Sequence, residues 1–265
     1  MKTAKYLIII IGCLIANSFL VSCNDEDNYS SEGSAPQING RYLTKINSEE
    51  LEYNSQGQLV RIKVDNMLET TFSYEPKRII VKPYDMVYYL RDGLVTECRY
   101  NVILSDIDDA LTIETKDVYE YNKQGYLIKE IRPIDFTVDY VEYQTTVYEW
   151  TNGNISKITS SSDSFDSETI ITYTSLENNI PNISNGTFVK NTLNSYLSWQ
   201  GYFGRRPKNL PDKEKTSYHY QFDDTTEEIT YRYEYTVKDG VVANITSNWY
   251  DNGRQFTRNY VLEWW

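Results

Sequence analysis

Apolar and polar residues alternate along most of this chain with a period of two. Ile229, Tyr231, Tyr233, Tyr235 and Val237 fall on one face of a stretch whose other face carries Thr230, Arg232, Glu234 and Thr236. That is the period of a β-strand with one face turned away from water. Phe256, Tyr260, Leu262 and Trp264 repeat it near the C-terminus, with Arg258 as the exception. The strands come in pairs. Glu52-Tyr53-Asn54-Ser55-Gln56-Gly57-Gln58-Leu59-Val60-Arg61-Ile62 is echoed by Glu120-Tyr121-Asn122-Lys123-Gln124-Gly125-Tyr126-Leu127-Ile128-Lys129-Glu130-Ile131. Looser copies run from Tyr148 to Ile158, from Tyr233 to Val242 and from Tyr89 to Val95. In each, a strand ends in aromatics, a polar turn closes on a glycine able to take positive φ, and an apolar strand returns. The expected fold is therefore all-β, a long curved antiparallel sheet of hairpin repeats, partly or fully closed like a barrel.

Several strands are expected to reach about ten residues, for example around Val138–Trp150. Glu75-Pro76-Lys77, Asp106-Ile107-Asp108-Asp109 and the stretch from Ser160 to Asp166 read as linkers between hairpins. One segment breaks the pattern. From Asn191 or Thr192, either of which suits a helix cap, Leu193, Tyr196 and Leu197 have helical spacing, and the run ends at Gly201. Gly204-Arg205-Arg206-Pro207-Lys208-Asn209-Leu210-Pro211 then turns the chain, and strands resume near Thr216. One short helix near 191–203 is expected, packed on the sheet or plugging one end of it.

The N-terminus follows different rules. Lys2 and Lys5 precede an apolar run from Tyr6 to Ala16, which has the make-up of a secretory leader and is short for a membrane span. Leu20-Val21-Ser22-Cys23 resembles a lipobox, the motif cut by the lipoprotein signal peptidase. Ser22 is small enough for the peptidase pocket, and the Cys23 thiolate can be alkylated to a stable thioether. Residues 1–22 are then a lipoprotein signal peptide, and Cys23 is the lipidated residue that holds the protein on a membrane. A disulfide is the competing role for Cys23. Cys98 is the only partner left once Cys13 is removed with the leader, and two isolated cysteines do not make a disulfide framework. Asn24-Asp25-Glu26-Asp27 resembles the export signal of Bacteroidetes lipoproteins, which implies the outer face of the outer membrane. Residues 23–38 read as an acidic, serine-rich tether, and 39–265 as a single antiparallel β domain.

Without Lys2 and Lys5, 24 of the 26 basic residues remain against 38 acidic ones, a net charge of −14. Such a chain repels phosphate backbones, so nucleic acid is not an expected partner. Tyrosine outnumbers phenylalanine 25 to 8, so most of the aromatic surface carries a hydroxyl and suits strand faces that are half buried and half wet.

Catalytic machinery is hard to find. His219, the one histidine, alternates with Tyr218 and Tyr220 in a strand and reads as a strand residue. One histidine and two mature cysteines leave no zinc site and no Ser-His-Asp or Cys-His arrangement. No phosphate-binding glycine loop is present, so no cofactor is expected. Carboxylates abound, yet nothing in the sequence sets two of them opposite each other as a glycosidase requires. Asp106-Ile107-Asp108-Asp109 lacks the spacing of a calcium loop and reads as a solvated turn. Arg205, Arg206 and Lys208 form the one basic cluster, a candidate anion site, although positive charge after a helix C-terminus is expected in any case. Asp224-Thr225-Thr226 resembles the short O-glycosylation sequence of Bacteroidetes exported proteins.

The tyrosine hairpins resemble YD-type repeats of large bacterial surface proteins. Together with the leader, and with Ser195-Tyr196-Leu197-Ser198-Trp199-Gln200-Gly201-Tyr202-Phe203-Gly204 followed by Pro207-Lys208-Asn209-Leu210-Pro211, they are more similar to a Bacteroidetes lipoprotein family of unknown function with a porin-like β fold. The resemblance spans roughly residues 40–265 and implies a curved, partly or fully closed sheet, with no catalytic residue to carry over. A membrane pore is not expected: charge interrupts both strand faces, as in Tyr231-Arg232-Tyr233-Glu234-Tyr235, although Glu263-Trp264-Trp265 does resemble the aromatic end of outer-membrane barrels. What remains is a surface-exposed outer-membrane lipoprotein without enzymatic activity. It either captures glycan, with Trp150, Trp199, Trp249, Trp264 and Trp265 as the stacking candidates, or serves as a structural partner for another envelope protein.

Overall fold

The computed structural model describes residues 33–64, 69–104, 111–136, 140–181, 192–251 and 254–265. The leader, Cys23, the acidic run after it, Asn191 and the Asp106–Asp109 turn lie outside them. Sixteen strands follow in chain order: β1 (Leu43–Ile46), β2 (Glu49–Tyr53), β3 (Leu59–Val64), β4 (Thr70–Glu75), β5 (Arg78–Lys82), β6 (Met86–Arg91), β7 (Leu94–Leu104) and β8 (Leu111–Tyr121) form the first half. β9 (Leu127–Phe136), β10 (Val141–Thr151), β11 (Asn154–Ser161), β12 (Phe165–Glu177), β13 (Asn209–Tyr220), β14 (Thr225–Lys238), β15 (Val241–Asp251) and β16 (Arg254–Trp264) form the second. One helix, α1 (Thr192–Trp199), interrupts them between β12 and β13. Each strand pairs antiparallel with the next, and β16 returns to β1 through Leu43↔Trp264 and Ile46↔Leu262. The sheet is a fully closed up-and-down barrel, which leaves no edge strand.

The repeat in the sequence is the repeat of the barrel. The turn after β2 and the turn after β8 are built alike. Asn54 Oδ1 accepts the N–H groups of Gln56 and Gln58 at 2.9 and 3.0 Å, and Asn122 Oδ1 accepts those of Gln124 and Tyr126 at 3.0 and 3.1 Å. Asp92-Gly93, Asn152-Gly153 and Asp239-Gly240 make tighter turns, with both residues at positive φ, the geometry that matches the twist of two-residue hairpins. After each of these turns an aliphatic side chain points inward. Leu43, Leu59, Ile79, Val95, Leu127, Ile155, Leu210 and Val242 occupy the first or second place of the odd-numbered strands, and none is more than 3% exposed.

The aromatic that ends the even-numbered strand reaches back to the previous hairpin. Tyr53 donates to the Leu43 carbonyl (2.6 Å), Tyr74 to Leu59 (2.7 Å), Tyr121 to Val95 (2.7 Å) and Tyr235 to Pro211 (2.8 Å). Trp150 and Trp264 do the same with their ring N–H groups, to Leu127 (2.7 Å) and Val242 (2.8 Å). Register shifts before Tyr53, Tyr121 and Trp150 mark β-bulges at the same place in the repeat, and bulges bend a strand end. An apolar hoop bound together by aromatic donors thus rings one end of the barrel. This explains the excess of tyrosine over phenylalanine: the ring fills the core while its hydroxyl satisfies a buried carbonyl.

Two boundaries differ from the sequence expectation. The stretch from Ser160 to Asp166 is strand at both ends, with only Ser162–Ser164 turning. Ser160 is buried on the lumen side, bonded to Thr146 across the pair (3.0 Å), so it reads as linker only because the barrel interior is polar there. β13 starts at Asn209, well before Thr216; Pro211 is accommodated beside a register shift opposite Tyr173, where no ladder N–H is required.

Candidate functional site

Among the described residues, the lumen is filled at one end and open at the other. α1 lies within the barrel and ends in a tight cap: Gly201 N–H bonds Ser198 O (2.9 Å) and Tyr202 N–H bonds Leu197 O (3.0 Å), with Gly201 at φ 87°. Leu197, Trp199 and Phe203 are buried at 1% exposure or less. Phe203 stands edge-on to Tyr119 (4.9 Å) and Tyr88 (6.3 Å), and Trp199 edge-on to Tyr53 (6.3 Å). The helix is a plug, as one of the two sequence expectations had it.

Its exit strand hooks over the hairpin turns in succession. Val95 N–H donates to Tyr202 O (2.8 Å), Arg205 N–H to Gly125 O (2.8 Å) and Lys208 N–H to Gly153 O (2.9 Å), while Gln200 Oε1 accepts the Leu59 N–H (2.9 Å). At Gly204 a Cβ would lie 2.2 Å from the Gly125 carbonyl, so only glycine permits this approach. Residues 33–38, assigned by composition to the tether, lie on the same end: Ala35 N–H donates to Gly57 O (2.8 Å), and Gly33 sits against the Tyr202 ring.

The basic cluster belongs to this docking surface. Arg205 Nε donates to the Gln124 carbonyl (2.9 Å) and its guanidinium lies 5.7 Å from the Tyr126 ring centre. Arg206 is half-buried, and the Lys208 stem lies over Gly153. Three of the five tryptophans are also at this end. Trp150 and Trp264 bond hoop carbonyls, and Trp199 is wholly inside the plug, its ring N–H on Asn179 O (3.3 Å). Trp265 is 85% exposed just beyond them. Only Trp249 faces the open half, where it stacks on Phe256 (5.3 Å) and approaches Tyr231 (5.7 Å). The five do not form one surface.

The open half has a different wall on each side. On β12 to β16 it is aromatic: Phe165, Tyr218, Tyr220, Tyr231, Trp249 and Phe256 share the lumen face, Tyr218 and Tyr220 stacked 6.4 Å apart. On β6 to β10 it is charged. A cavity of about 330 Å³ is lined there by Tyr84, Met86, Tyr100, Asn101, Asp117, Glu130, Arg132, Pro133 and, from α1, Asn194. Asn194 forms its floor, accepting from Tyr88 Oη (2.7 Å) and donating to Tyr119 Oη (3.3 Å). Asp117 accepts Tyr100 Oη (3.0 Å) and Tyr119 Oη (3.2 Å); Glu130 accepts Tyr148 Oη (2.8 Å). Arg132 places both Nε and Nη2 on Gln144 Oε1, at 3.0 and 2.9 Å. Asp117 and Glu130 stand on neighbouring strands of one wall, side by side, since Tyr119 pairs directly with Glu130.

Burial pushes the Asp117 carboxyl up from 3.8 to about 6, the nearby charge of Glu130 adds to this, and Tyr100, Tyr119 and Arg132 oppose it. Its folded-state pKa lies above the unfolded one, so its favourable contribution is complete below the unfolded value and is lost as the pH rises through about 6. Asp117→Asn is therefore expected to stabilise the protein at neutral pH by up to about 3 kcal/mol. Near pH 4 the same substitution should be close to neutral. Urea unfolding of both proteins at the two pH values checks this, and an equal effect at both would refute the assignment.

Asp117, Glu130, Arg132 and Asn194 were not singled out from the sequence. A signal was present: Asp117 falls on the same face as Thr115 and Tyr119, so it is a charge on the tyrosine face. His219 is exposed on the outside, 3.5 Å from Asp224. Cys98 is fully buried in the barrel wall, its thiol held protonated by that burial. Among the described residues no three His, Cys, Asp or Glu side chains gather as a metal site.

Two solved structures share this architecture. A porin-like protein from Bacteroides vulgatus aligns with TM-score 0.57 at 16% identity, over 84% of this chain and 98% of its own. A porin-like protein from Bacteroides uniformis aligns with TM-score 0.58 at 18% identity, over 82% and 89%. The fold is porin-like. TcdB2-TccC3 gives a TM-score of only 0.32, which does not define a common fold. No known protein family and no curated protein matches the sequence.

A porin-like barrel need not present a lipid-facing surface, and this exterior does not. Arg61 bridges Glu52 and Glu69, Glu97 holds Arg99 and Lys116, Lys157 pairs with Glu168 and Lys215 with Glu228, all on the outer face. Exposed apolar residues such as Ile103, Val147 and Ile170 lie scattered among them. Charges at the bilayer midplane cost roughly 2–4 kcal/mol each, so this is a water-facing wall.

Proposed function

We propose that the protein is a lipid-anchored, surface-exposed envelope lipoprotein that binds a glycan in the open half of its barrel and does not alter it chemically. The observation that carries this reading is the blind lumen: plug and hoop close one end, so the barrel is a cup and not a channel. The cup has an aromatic wall on one side and hydrogen-bonding carboxylates, amide and guanidinium on the other, the pairing of surfaces that suits a sugar ring. Attachment also supports it. Gly33 is ten steps along the chain from Cys23, a reach of at most about 35 Å, and it enters at the plugged end. A lipid on Cys23 holds that end near the membrane and leaves the mouth facing outward.

A non-catalytic role fits the carboxylates. Asp117 and Glu130 lie side by side on one wall instead of flanking a bond from opposite sides, and tyrosine hydroxyls hold both. Incubation with a polysaccharide panel should give binding, seen as a change in tryptophan fluorescence, with no new reducing ends. Reducing ends that accumulate with the wild type and vanish with Glu130→Gln would make the protein a hydrolase. Silence across the panel at millimolar ligand would remove the glycan reading.

A further inference from the structure

The cavity beside α1 has no rear exit. Asn194 closes its floor, and behind that residue Phe203 and Trp199 fill the barrel. A polymer cannot thread through, so only a chain end can enter. At about 330 Å³ the space lies at the low end for a small-molecule site, with room for about two pyranose rings at most.

The polar groups around it are unevenly used. Each Asp117 oxygen takes one tyrosine hydroxyl, but Glu130 accepts only at Oε2, leaving Oε1 without a hydrogen-bond partner among the described residues. On the lumen face beside Arg132, Gln144 is wholly buried, and its Nε2 has no partner either. Gln144 pairs with Arg132 across the strands but is not part of the cavity lining, so the groups that face the cavity on this patch of wall are the unfilled Glu130 acceptor and the Arg132 guanidinium, whose five N–H donors are only partly used on Gln144. A ligand that both donates and accepts satisfies the two together. Hydroxyls on adjacent ring carbons do so. Charge narrows the class further: two carboxylates face one guanidinium, and the guanidinium is pinned on Gln144. An anionic sugar would add like charge to a confined space.

We propose that this cavity takes the terminal unit of a glycan end-on, as a neutral or amino sugar, with Glu130, Arg132 and Asn194 as the groups that hold it, and that it excludes uronic acids. The proposal rests on the glycan-binding function above and adds which end, which charge and which residues. The test is calorimetry on the mature lipidated protein in detergent. Its probes are glucose, glucosamine, N-acetylglucosamine, glucuronic acid, linear malto- and cello-oligosaccharides, and a cyclodextrin, which has no chain end.

At least one neutral or amino probe should bind, with affinity that stops rising beyond the disaccharide, while glucuronic acid and cyclodextrin do not. Glu130→Gln preserves the side-chain shape and should weaken binding about tenfold or more with an unchanged melting temperature. The unchanged melting temperature separates loss of this contact from loss of the fold. No binding by any probe overturns the glycan function and this inference with it. Binding that is unaffected by Glu130→Gln, or is as tight for cyclodextrin or glucuronic acid, overturns the inference alone.

Discussion

Cys23→Ala should strip the protein of its lipid and move it from the membrane pellet to the soluble fraction. No other side chain near the cleavage point supplies a thiolate, so there is no substitute acceptor for the alkylation. Each buried methylene of an acyl chain adds about 0.8 kcal/mol to membrane affinity, and several chains together make anchoring effectively permanent. Loss of the cysteine is thus an all-or-none change. Labelled palmitate incorporation and cell fractionation measure it directly. Ligand binding should be unaffected, because the tether meets the barrel at the plugged end, far from the cavity. A Cys23→Ala protein that still carries label, or stays in the membrane, would end the lipoprotein reading.

The second large effect is expected at Trp199. This residue is 1% exposed, edge-on to Tyr53, and bonded through its ring N–H to Asn179 O. Truncation to alanine would leave a hole in the plug, at a cost of about 3–5 kcal/mol, because the surrounding barrel is a closed hoop that cannot collapse inward. Denaturant unfolding should show a midpoint shift of that order. Trp249→Ala is the informative contrast: it removes part of the aromatic wall at the open mouth, so it should weaken glycan binding with a smaller loss of stability. If Trp199→Ala lowers binding without lowering stability, the plug has been misplaced and the tryptophan touches ligand.

These two tryptophans show how far residue type alone can lead. All five are rare, large and aromatic, and as a set they suggested a stacking surface. The barrel separates them by role: Trp150 and Trp264 bind the hoop, Trp199 fills the plug, Trp265 is exposed beyond the hoop, and Trp249 alone faces the open half. The basic cluster is similar. Arg205 and Lys208 look like an anion site in the sequence, but Arg205 lies over Tyr126, and the backbone of both is hooked to the hairpin turns at Gly125 and Gly153. Charges that dock one segment on another look no different, along the chain, from charges that await a ligand.

The carboxylates were missed for the opposite reason. Asp117, Glu130 and Glu214 stand among many acidic residues in a chain of net charge −12, and nothing local distinguishes them. What distinguishes them is parity. Each occupies a lumen-facing position, 7% exposed or less, and accepts a tyrosine hydroxyl (Tyr119, Tyr148 and Tyr233, respectively). A tyrosine face that also carries acids is the mark of a polar lumen, and that mark becomes visible only when the closed sheet shows which face is inside.

The sequence by itself determined the hairpins, their turns and the short helix. These depend on contacts a few residues apart: a period of two, an asparagine that caps its own turn, a glycine at positive φ. It also carries Leu20-Val21-Ser22-Cys23, a local motif that resembles a lipobox. Closure of the sheet, the filling of one end and the gathering of Asp117, Glu130, Arg132 and Asn194 around a cavity were decided only in the tertiary structure. They join residues from β8, β9 and α1 that lie up to 77 positions apart, from Asp117 to Asn194, and no local periodicity reports on such pairings.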